Sequence, residues 1–221
     1  MIRRKYLNIL LSQINNDHVK NLQRYQKVLF QRNSLLKNIK DGKSNEIEIE
    51  FWDNRLSEEA ANIFFERNKI IKTIKNSSNQ FAKNFNKNID LNIKYLPKVG
   101  RNLENKFLDS EPSISEIKLI FYESLKKNHS RDIEQRITTI GPHRDDFDII
   151  FNNSPAGITA SRGQSRIISL SLKLSEAKEI RNVTKRNPIL ILDDIFSELD
   201  EKMREKVVSV ICINNIRIST L

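Results

Sequence analysis

Over the first 85 positions, apolar residues recur every three or four residues and are separated mostly by Lys, Arg, Glu and Asn. One series runs from Asp17 to Lys40 with Arg32 as its one polar member, and its apolar members are Leu22, Tyr25, Leu29, Leu36 and Ile39. After the polar segment 41–45, a second series consists of Ile49, Trp52, Leu56, Ala60, Ile63, Ile70, Ile74 and Phe81. This spacing is typical of long helices that bury a narrow apolar stripe. Two such helices joined by a short polar turn predict an antiparallel helical hairpin over residues 1–85.

A further helix is predicted over residues 3–14, and either Asn16 or Asp17 is expected to cap the helix that follows it. Apolar stripes at helical spacing usually belong to a core or contact a partner. We therefore expect this arm to be structural or partner-contacting rather than catalytic.

The pattern changes in residues 86–221, where strand and helix signals alternate. Alternating apolar residues from Leu91 to Tyr95 stop at Pro97 and predict a strand. Ser113 and Glu116 have the spacing of a capping box at the start of a helix. The other predicted segments are β-rich runs at 137–140 and 147–151, a helix over 163–181, a strand over 188–192 and a helix over 200–211. This order indicates an α/β layer.

Composition and charge narrow the class of protein. The chain has 221 residues, with 38 Lys and Arg against 28 Asp and Glu, so its formal net charge is +10. Such a balance favours polyanionic partners, nucleic acid first, although the abundance of Lys and Asn throughout the chain also fits a codon bias unrelated to DNA. No apolar run approaches the roughly 18 to 20 residues that span a bilayer, which excludes a membrane protein. The single Cys212 excludes an intramolecular disulfide, fits a cytoplasmic protein and is expected to be a small buried apolar residue.

Two acidic residues follow the predicted strand 188–192. The four consecutive apolar residues 189–192 suit a strand buried on both faces, and carboxylates at a strand end lie where α/β sheets bind ligands. Asp193 is therefore a candidate ligand of a nucleotide-bound Mg²⁺, and Asp194 is a candidate catalytic residue that orients or deprotonates an attacking water. Hydrophobic strands that end in Asp are common, so this Walker B pattern alone does not establish nucleotide chemistry.

A second candidate site precedes the helix predicted over 163–181. Ser161 offers a hydroxyl, Gly163 lets a ligand approach the backbone closely, and a helix N-terminus offers unpaired N–H groups, so the segment suits a phosphate. The alternative is that Ser161 is an ordinary helix cap. Together with Gln164 and the acidic strand end about 30 residues downstream, the segment resembles the signature motif of an ABC-type ATPase.

These motifs, in this order, resemble the RecF family of bacterial DNA replication and repair proteins. The resemblance covers nearly the whole chain and is carried by Arg24-Tyr25-Gln26 and the residues up to Lys37, Gly141-Pro142-His143-Arg144-Asp145-Asp146, Gly163-Gln164, Leu192-Asp193-Asp194 and Ser197-Glu198-Leu199-Asp200. It implies the C-terminal lobe of an α/β ABC-type ATPase head, related to the SMC group, over residues 86–221, with the antiparallel helical hairpin as its arm.

The resemblance also implies ligands and partners. ATP and Mg²⁺ are the expected cofactors, with Ser161, Gly163 and Gln164 contacting ATP held by a partner subunit. Ser197 and Asp200 lie where the family has its dimer-contacting D-loop. The implied role is ATP-dependent dimerisation and binding of single-stranded or gapped DNA, acting with RecO and RecR to load RecA and support the SOS response.

The chain departs from the family at the phosphate-binding loop. No Gly-x-x-x-x-Gly-Lys-Ser/Thr pattern is present in the sequence. The tripeptide Gly42-Lys43-Ser44 is a partial match, but Lys37 stands where the first glycine is required. The tripeptide also lies in the predicted hairpin turn rather than between a strand and a helix. We expect the chain to correspond to roughly the C-terminal two-thirds of the family, shortened at its end. We also expect little or no ATP binding by the chain alone.

Three interpretations stay open at this point. They are a RecF-like DNA-binding ATPase subunit, a non-enzymatic DNA- or partner-binding arm, and a gene fragment that has no function on its own. His143 does not indicate a metal site, because the chain has three histidines and no His-x-x-x-His spacing. The segment Gly141–Asp146 is expected to form a structural hydrogen-bonded turn near the nucleotide pocket.

Overall fold

The computed structural model of the protein describes residues 2–99, 112–192, 201–213 and 217–220. The helices are α1 (Ile2–Ile14), α2 (Asn16–Lys40), α3 (Ile49–Phe85), α4 (Ile114–Lys127), α5 (His129–Gln135), α6 (Ala156–Thr159), α7 (Arg162–Thr184) and α8 (Glu201–Ile213). The strands are β1 (Leu91–Leu96), β2 (Asp146–Phe151), β3 (Ser154–Pro155), β4 (Ile189–Leu192) and β5 (Arg217–Thr220). They form one sheet of order β1-β2-β3 and a second sheet in which β4 and β5 run parallel.

The chain divides into two compact units. Unit 1 comprises Met1–Asn68 and Tyr95–Phe147, and unit 2 comprises Lys69–Lys94 and Asp148–Leu221. Helix α3 contributes residues to both units. In the described part of the chain, no helix has the length and apolar content that crossing a membrane requires.

Unit 1 contains α2 and the part of α3 up to Asn68, which pair as the predicted helical hairpin. The side chain of His18 pairs with Glu66, and Arg32 pairs with Asp53, so contacts move back along α3 as they move forward along α2. The two helices are therefore antiparallel, as predicted. The stripe predicted on α3 is at most 3% exposed at Ile49, Leu56, Ala60, Ile63, Ile70, Ile74 and Phe81.

Polar side chains and one glycine set the ends of α2. Its N-cap is Asn15, one residue before the predicted caps, and the Asn15 Oδ1 accepts from the Asp17 N–H at 3.0 Å. The chain turns after α2 at Gly42, whose φ of +70° is a conformation that favours glycine. The tripeptide Gly42-Lys43-Ser44 thus lies in the hairpin turn, as predicted, and a 3₁₀ turn over Glu46–Glu48 leads into α3.

Several other elements begin and end where the sequence places them. Strand β1 ends just before Pro97, and β2 covers the predicted run 147–151. Helix α4 begins at a capping box, in which Ser113 caps the Glu116 N–H and the Glu116 side chain accepts from the Ser113 N–H. Local signals were sufficient here because each element starts or stops at a residue with its own backbone requirement.

The predicted β-rich run at 137–140 is wrong, because this segment forms no strand. Side chains satisfy its backbone instead of a neighbouring strand. The Thr138 N–H donates to Asn33 Oδ1 at 2.8 Å, and the Thr139 N–H donates to Asp132 Oδ1 at 3.0 Å. Because these two N–H groups already donate to side chains, they do not pair with a neighbouring strand.

Unit 2 has its core where the end of α3 meets α7 and α8. One cluster there is centred on the fully buried Phe85 and Leu174, and Leu190 of β4 packs against it. The expectation that residues 189–192 are buried on both faces is wrong for this chain. Ile189 and Ile191 are 64% and 61% exposed, because successive side chains of a strand point to opposite faces and only the Leu190 side packs on the cluster.

The expectation that Cys212 is buried is also wrong. Its side chain is exposed, whereas Val207, Val210 and Ile211 form the buried face of α8. At about 100° per residue, position 212 turns away from that face.

Candidate functional site

The predicted signature residues lie at the start of α7, in unit 2. Ser161 is the N-cap, and its Oγ accepts from the Gln164 N–H at 3.3 Å while Gln164 Oε1 accepts from the Ser161 N–H at 2.8 Å. This capping box fixes the first turn of the helix and uses the side chains of both residues. Ser161 therefore does cap the helix, and phosphate binding is a prediction that stands beside this structural role.

Gly163 has no structural reason to be a glycine within the described chain. Its φ lies outside the left-handed region, and a Cβ placed on it meets no heavy atom within 4 Å. The backbone N–H groups of Arg162 and Gly163 belong to the first turn, which an α-helix leaves without partners of its own. The open space over Gly163 thus lets a ligand or a partner reach the backbone.

Basic and hydroxyl side chains surround this helix start. A groove of about 410 Å³ is lined by Ala160, Arg162, Ser165, Arg166 and Ser169. No acidic residue lies in the first turn of α7, and the helix dipole places partial positive charge there. Two arginines, hydroxyl groups and first-turn amides are donors that suit an anion such as a phosphate.

The second predicted set of site residues follows the described end of β4. Strand β4 pairs in parallel with β5 over Ile189–Leu192. Asp193, Asp194, Ser197 and Asp200 lie outside the described residues. Their roles as Mg²⁺ ligand, water-orienting residue and D-loop therefore stay predictions, and the structure describes only the strand that leads to them.

The segment 141–146 is a hydrogen-bonded turn, as predicted, and it lies in unit 1. Its expected position near a nucleotide pocket stays a prediction. The Gly141 N–H donates to the Lys98 carbonyl at 2.8 Å, and the Arg144 N–H donates to the Gly141 carbonyl at 2.8 Å. Gly141 has a φ of +119°, and a Cβ on it would lie 2.7 Å from the Tyr25 Oη. Both the backbone conformation and the packing therefore require glycine at this position.

Asp145 holds this turn in place. Its buried carboxylate accepts from the Tyr95 hydroxyl and from the Lys98 N–H at 2.7 Å, and Arg67 Nη1 lies 3.5 Å away. Burial raises the pKa of Asp145 above its ordinary value, and the Arg67 guanidinium opposes that rise. Arg67 also donates to the Pro142 carbonyl at 2.7 Å, so one buried guanidinium connects α3 to the turn.

Hydrogen bonds to both ring nitrogens of His143 define its tautomer. Burial raises the pKa of Tyr25, so its hydroxyl stays protonated and donates to His143 Nδ1 at 2.6 Å. The proton of the neutral ring is then on Nε2, which donates to the Thr138 carbonyl at 3.0 Å. Burial lowers the pKa of His143 to about 4. Both nitrogens are thus engaged in holding the turn.

We expect the free energy of unfolding to fall by about 1 to 2 kcal/mol between pH 7 and pH 5 because of His143. Its pKa is about 4 in the folded chain, below the ordinary 6.5, so in this window the unfolded chain binds a proton that the folded chain does not. The stability that neutral His143 contributes to the folded chain is complete above pH 6.5 and is lost as the pH falls toward 4. Urea denaturation at several pH values measures it. The matched variant His143→Gln should show a flatter profile, and identical profiles would contradict the assignment.

A buried ionic cluster surrounds Arg32, the polar member of the first apolar series. Its Nε donates to Asp53 at 2.7 Å, and its Nη1 donates to Asp132 at 2.7 Å and to the Thr138 hydroxyl at 2.8 Å. His129 also contacts Asp53. The cluster thus joins α2 and α3 to α5 and to the segment before the Gly141 turn. A lone arginine in an apolar seam was its one sequence signal, and the acidic partners were not identified from the sequence.

Comparison with known proteins gives a consistent result. No family model matches the chain. The chain is 37% identical over 205 residues to the DNA replication and repair protein RecF of Thermoanaerobacter sp. (strain X514), a match that covers 93% of this chain and 54% of that protein. RecF of Clostridium botulinum (strain ATCC 19397 / Type A) is 37% identical over 212 residues, covering 94% and 53%. The chain therefore spans about half the length of the curated relatives it matches.

Two solved structures are similar over nearly the whole chain. Both are described as the recombination mediator protein RecF in the RecFOR pathway, one as RecF-ATPrS and the other as RecF-ATP. The RecF-ATPrS structure has a TM-score of 0.84 and is 34% identical, and the match covers 99% of this chain and 57% of that chain. The RecF-ATP structure has a TM-score of 0.85 and is 33% identical, and the match covers 99% of this chain and 56% of that chain. The resemblance seen in the sequence is confirmed, and so is the expected fold class, a partial ABC-type ATPase head with a helical arm.

Proposed function

The chain is a homologue of RecF over 93% of its length, and from that premise we propose that it acts in DNA replication and recombinational repair as the signature-bearing part of a RecF-type ATPase head. In this role it contributes to a nucleotide site shared with a partner subunit, and it binds DNA. The helical arm corresponds to residues 1–85 and the partial head to residues 86–221.

The exposed start of α7 is the observation that carries the proposal. Ser161, Gly163 and Gln164 contact the γ-phosphate of ATP held by a partner subunit. Open space over Gly163 and a first turn without acidic residues fit a phosphate there. Ser161 and Gln164 fix the turn through their capping box, and the N–H groups of Arg162 and Gly163 are first-turn donors for which the helix has no partner.

The acidic residues after β4 serve a nucleotide in cis. Asp193 ligates Mg²⁺, Asp194 orients or deprotonates the attacking water, and Ser197 and Asp200 contact the partner. ATP with Mg²⁺ supplies the phosphoryl group and the neutralising charge when it is bound. The chain has no Gly-x-x-x-x-Gly-Lys-Ser/Thr loop to cradle the phosphates, so we expect little or no ATP binding or hydrolysis by this chain alone.

The proposed partners are single-stranded or gapped DNA, RecO, RecR and a second copy of the chain in an ATP-dependent homodimer. The similar structures are described within the RecFOR pathway, which supports RecO and RecR. The formal charge of +10 supports DNA. The proposed outcome is RecA loading and support of the SOS response in the cytoplasm.

Gly163→Ala is expected to weaken ATP-dependent association with a full-length RecF by at least about tenfold, which corresponds to about 1.4 kcal/mol. A methyl group at this position fills the space through which a phosphate reaches the backbone. Because that space is open in the chain itself, the melting temperature should change by no more than about 3 °C. Sedimentation of this chain mixed with Thermoanaerobacter RecF, with and without ATP, measures the association.

Gly157→Ala is the matched control, since a Cβ on Gly157 also meets nothing within 4 Å. The control should associate like the unmodified chain. Equal association of the Gly163→Ala and Gly157→Ala variants would reject the shared site. Micromolar Mg²⁺-ATP binding by the chain alone, abolished by Asp193→Ala, would show instead that it forms a complete site.

Nucleotide-independent DNA binding by the basic surface is the second candidate function, and the net charge favours it. Electrostatic binding weakens with salt whether or not ATP is present. A salt titration of DNA binding that is identical with and without ATP, in the presence of full-length RecF, would favour this second function.

A further inference from the structure

The two helices of the hairpin in unit 1 carry opposite charge. Helix α2 has six basic residues, five of them exposed, and one acidic residue, Asp17. From Glu46 to Glu66, the 3₁₀ turn and the first half of α3 have seven acidic residues, four of them exposed, and one basic residue. Surfaces of opposite charge attract each other, so two copies of the chain offer each other complementary helices.

An exposed phenylalanine lies among lysines on α2. Phe30 is 70% exposed, and steps of three and four residues place it on one face of the helix with Lys27, Ser34 and Lys37, which are exposed too. We call these four residues the basic knob. The buried residues of α2 lie on the opposite face, so the side chain of Phe30 is not needed for the core of unit 1.

A groove lined by α3 and α4 is open on the acidic side of the hairpin. It has a volume of about 530 Å³, and its lining includes Phe51 and Asn54 of α3 and Leu119 and Tyr122 of α4. We call it the acidic groove. Phe51 and Leu119 are 58% and 57% exposed. Two large apolar side chains exposed together in one groove are typical of a protein contact rather than of an ordinary surface.

The charges beside the groove match those of the knob in sign and spacing. Exposed Glu50 and Glu58 lie on α3 on either side of Phe51, about 12 Å apart along the helix. Lys27 and Lys37 lie on either side of Phe30, about 15 Å apart along α2. Lys118 Nζ lies 3.9 Å from Glu58, an exposed contact that contributes little. The groove repels a polyanion and suits an apolar side chain between two cations.

We propose that the acidic groove of one copy of the chain binds the basic knob of a second copy. Phe30 packs against Phe51 and Leu119, and the two lysines of the knob face the two glutamates beside the groove. This is the binding of a helix in a groove, with one aromatic anchor and charges that set its direction. Both surfaces belong to unit 1, whereas the signature residues belong to unit 2, so the contact needs no nucleotide.

Sedimentation equilibrium of the whole 221-residue chain, without nucleotide, measures this self-association. The knob variant Phe30→Ser and the groove variant Leu119→Ser should each associate at least about tenfold more weakly, because each loses one side of the apolar contact. The matched control Ile158→Ser removes an apolar side chain that is 84% exposed in unit 2, and it should change association by less than about twofold. Raising the salt from about 50 to about 500 mM should weaken association of the unmodified chain, because salt screens the ion pairs.

A mixture of the knob and groove variants tests whether these two surfaces bind each other. The intact knob of Leu119→Ser meets the intact groove of Phe30→Ser, so the mixture should associate at least about fivefold more tightly than either variant alone. A mixture no tighter than the variants would overturn the pairing, and so would equal losses in Ile158→Ser. A chain that stays monomeric at about 300 µM would overturn the contact and leave the groove to a different protein.

Thermal melts show whether each variant folds. The ATP-dependent association of the proposed function is measured separately, with full-length RecF, so either result can fail without the other.

Discussion

Arg32→Met is expected to lower the free energy of unfolding by about 4 kcal/mol. The substitution keeps an unbranched side chain in the seam but removes the guanidinium that pairs with the buried Asp53 and Asp132, while Asp53 keeps its contact with His129. Neither carboxylate is more than 1% exposed, so water cannot replace the guanidinium. A domain is stable by about 5 to 15 kcal/mol, so the variant should melt far below the unmodified chain. Urea denaturation followed by circular dichroism measures the difference.

Arg24→Met is the matched control on the same helix. Arg24 pairs with Glu59 across the same hairpin, but its side chain is 54% exposed. Exposed ion pairs contribute about 1 kcal/mol or less, so this variant should lose no more than that. If Arg32→Met were no less stable than Arg24→Met, the buried cluster would have no net stabilising role.

The helical hairpin was predictable because its signal is local and repeated. Most members of the two series between Leu22 and Phe81 are apolar residues three or four positions apart, and the polar segment 41–45 separates the series. The role of Arg32 was not predictable in the same way. Its partner Asp132 lies 100 positions further along the chain, and no spacing rule connects them.

Prediction failed where a segment's partners are non-local. The run 137–140 has strand-like composition, but the side chains of Asn33 and Asp132 take its backbone donors. Strand β4 has the apolar sequence of a fully buried strand, yet Ile189 and Ile191 are exposed because only one side of β4 packs on the described core of unit 2. The composition of a segment shows that it can form a strand or be buried, but its contacts with distant residues determine whether it does.

The candidate site was predicted in part. The sequence placed Ser161, Gly163 and Gln164 at a helix start, and α7 begins there. The role of the segment 141–146 was predicted only as a hydrogen-bonded turn, because its contacts with Tyr25, Tyr95 and Arg67 come from distant parts of the chain. Asp193 and Asp194 remain a sequence-based prediction.

Gly141 and Gly163 differ in whether the fold of the chain itself requires glycine at that position. Gly141 is required by the fold of this chain, because its φ is positive and Tyr25 occupies the space beside it. Gly163 meets no such requirement among the described residues, so a need for glycine there would come from the proposed phosphate contact. The two positions therefore differ in kind: the fold requires glycine at Gly141, whereas binding at Gly163 is a proposal.

Gly141→Ala is expected to lower the free energy of unfolding by about 3 kcal/mol. One part is backbone strain, since a φ of +119° is unfavourable for alanine. The other part is a clash, since the new Cβ would lie 2.7 Å from the Tyr25 Oη. Tyr25 cannot easily move away, because its ring is 3% exposed and its hydroxyl is held by His143 at 2.6 Å. Thermal and urea denaturation measure the loss.

Two further variants separate the strain from the clash. Gly42→Ala, at a φ of +70° with nothing within 4 Å, should lose only about 1 kcal/mol because it is strained but does not clash. In a Tyr25→Phe background, where the clashing oxygen is absent, Gly141→Ala should lose about 1 to 2 kcal/mol less than it does in the unmodified chain. A Gly141→Ala loss as small as that of Gly42→Ala, or one unchanged by Tyr25→Phe, would show that the Tyr25 hydroxyl does not confine the turn. The turn would then owe its geometry to the Gly141 backbone and the Asp145 carboxylate, and Tyr25 would act only as the hydrogen-bond donor to His143.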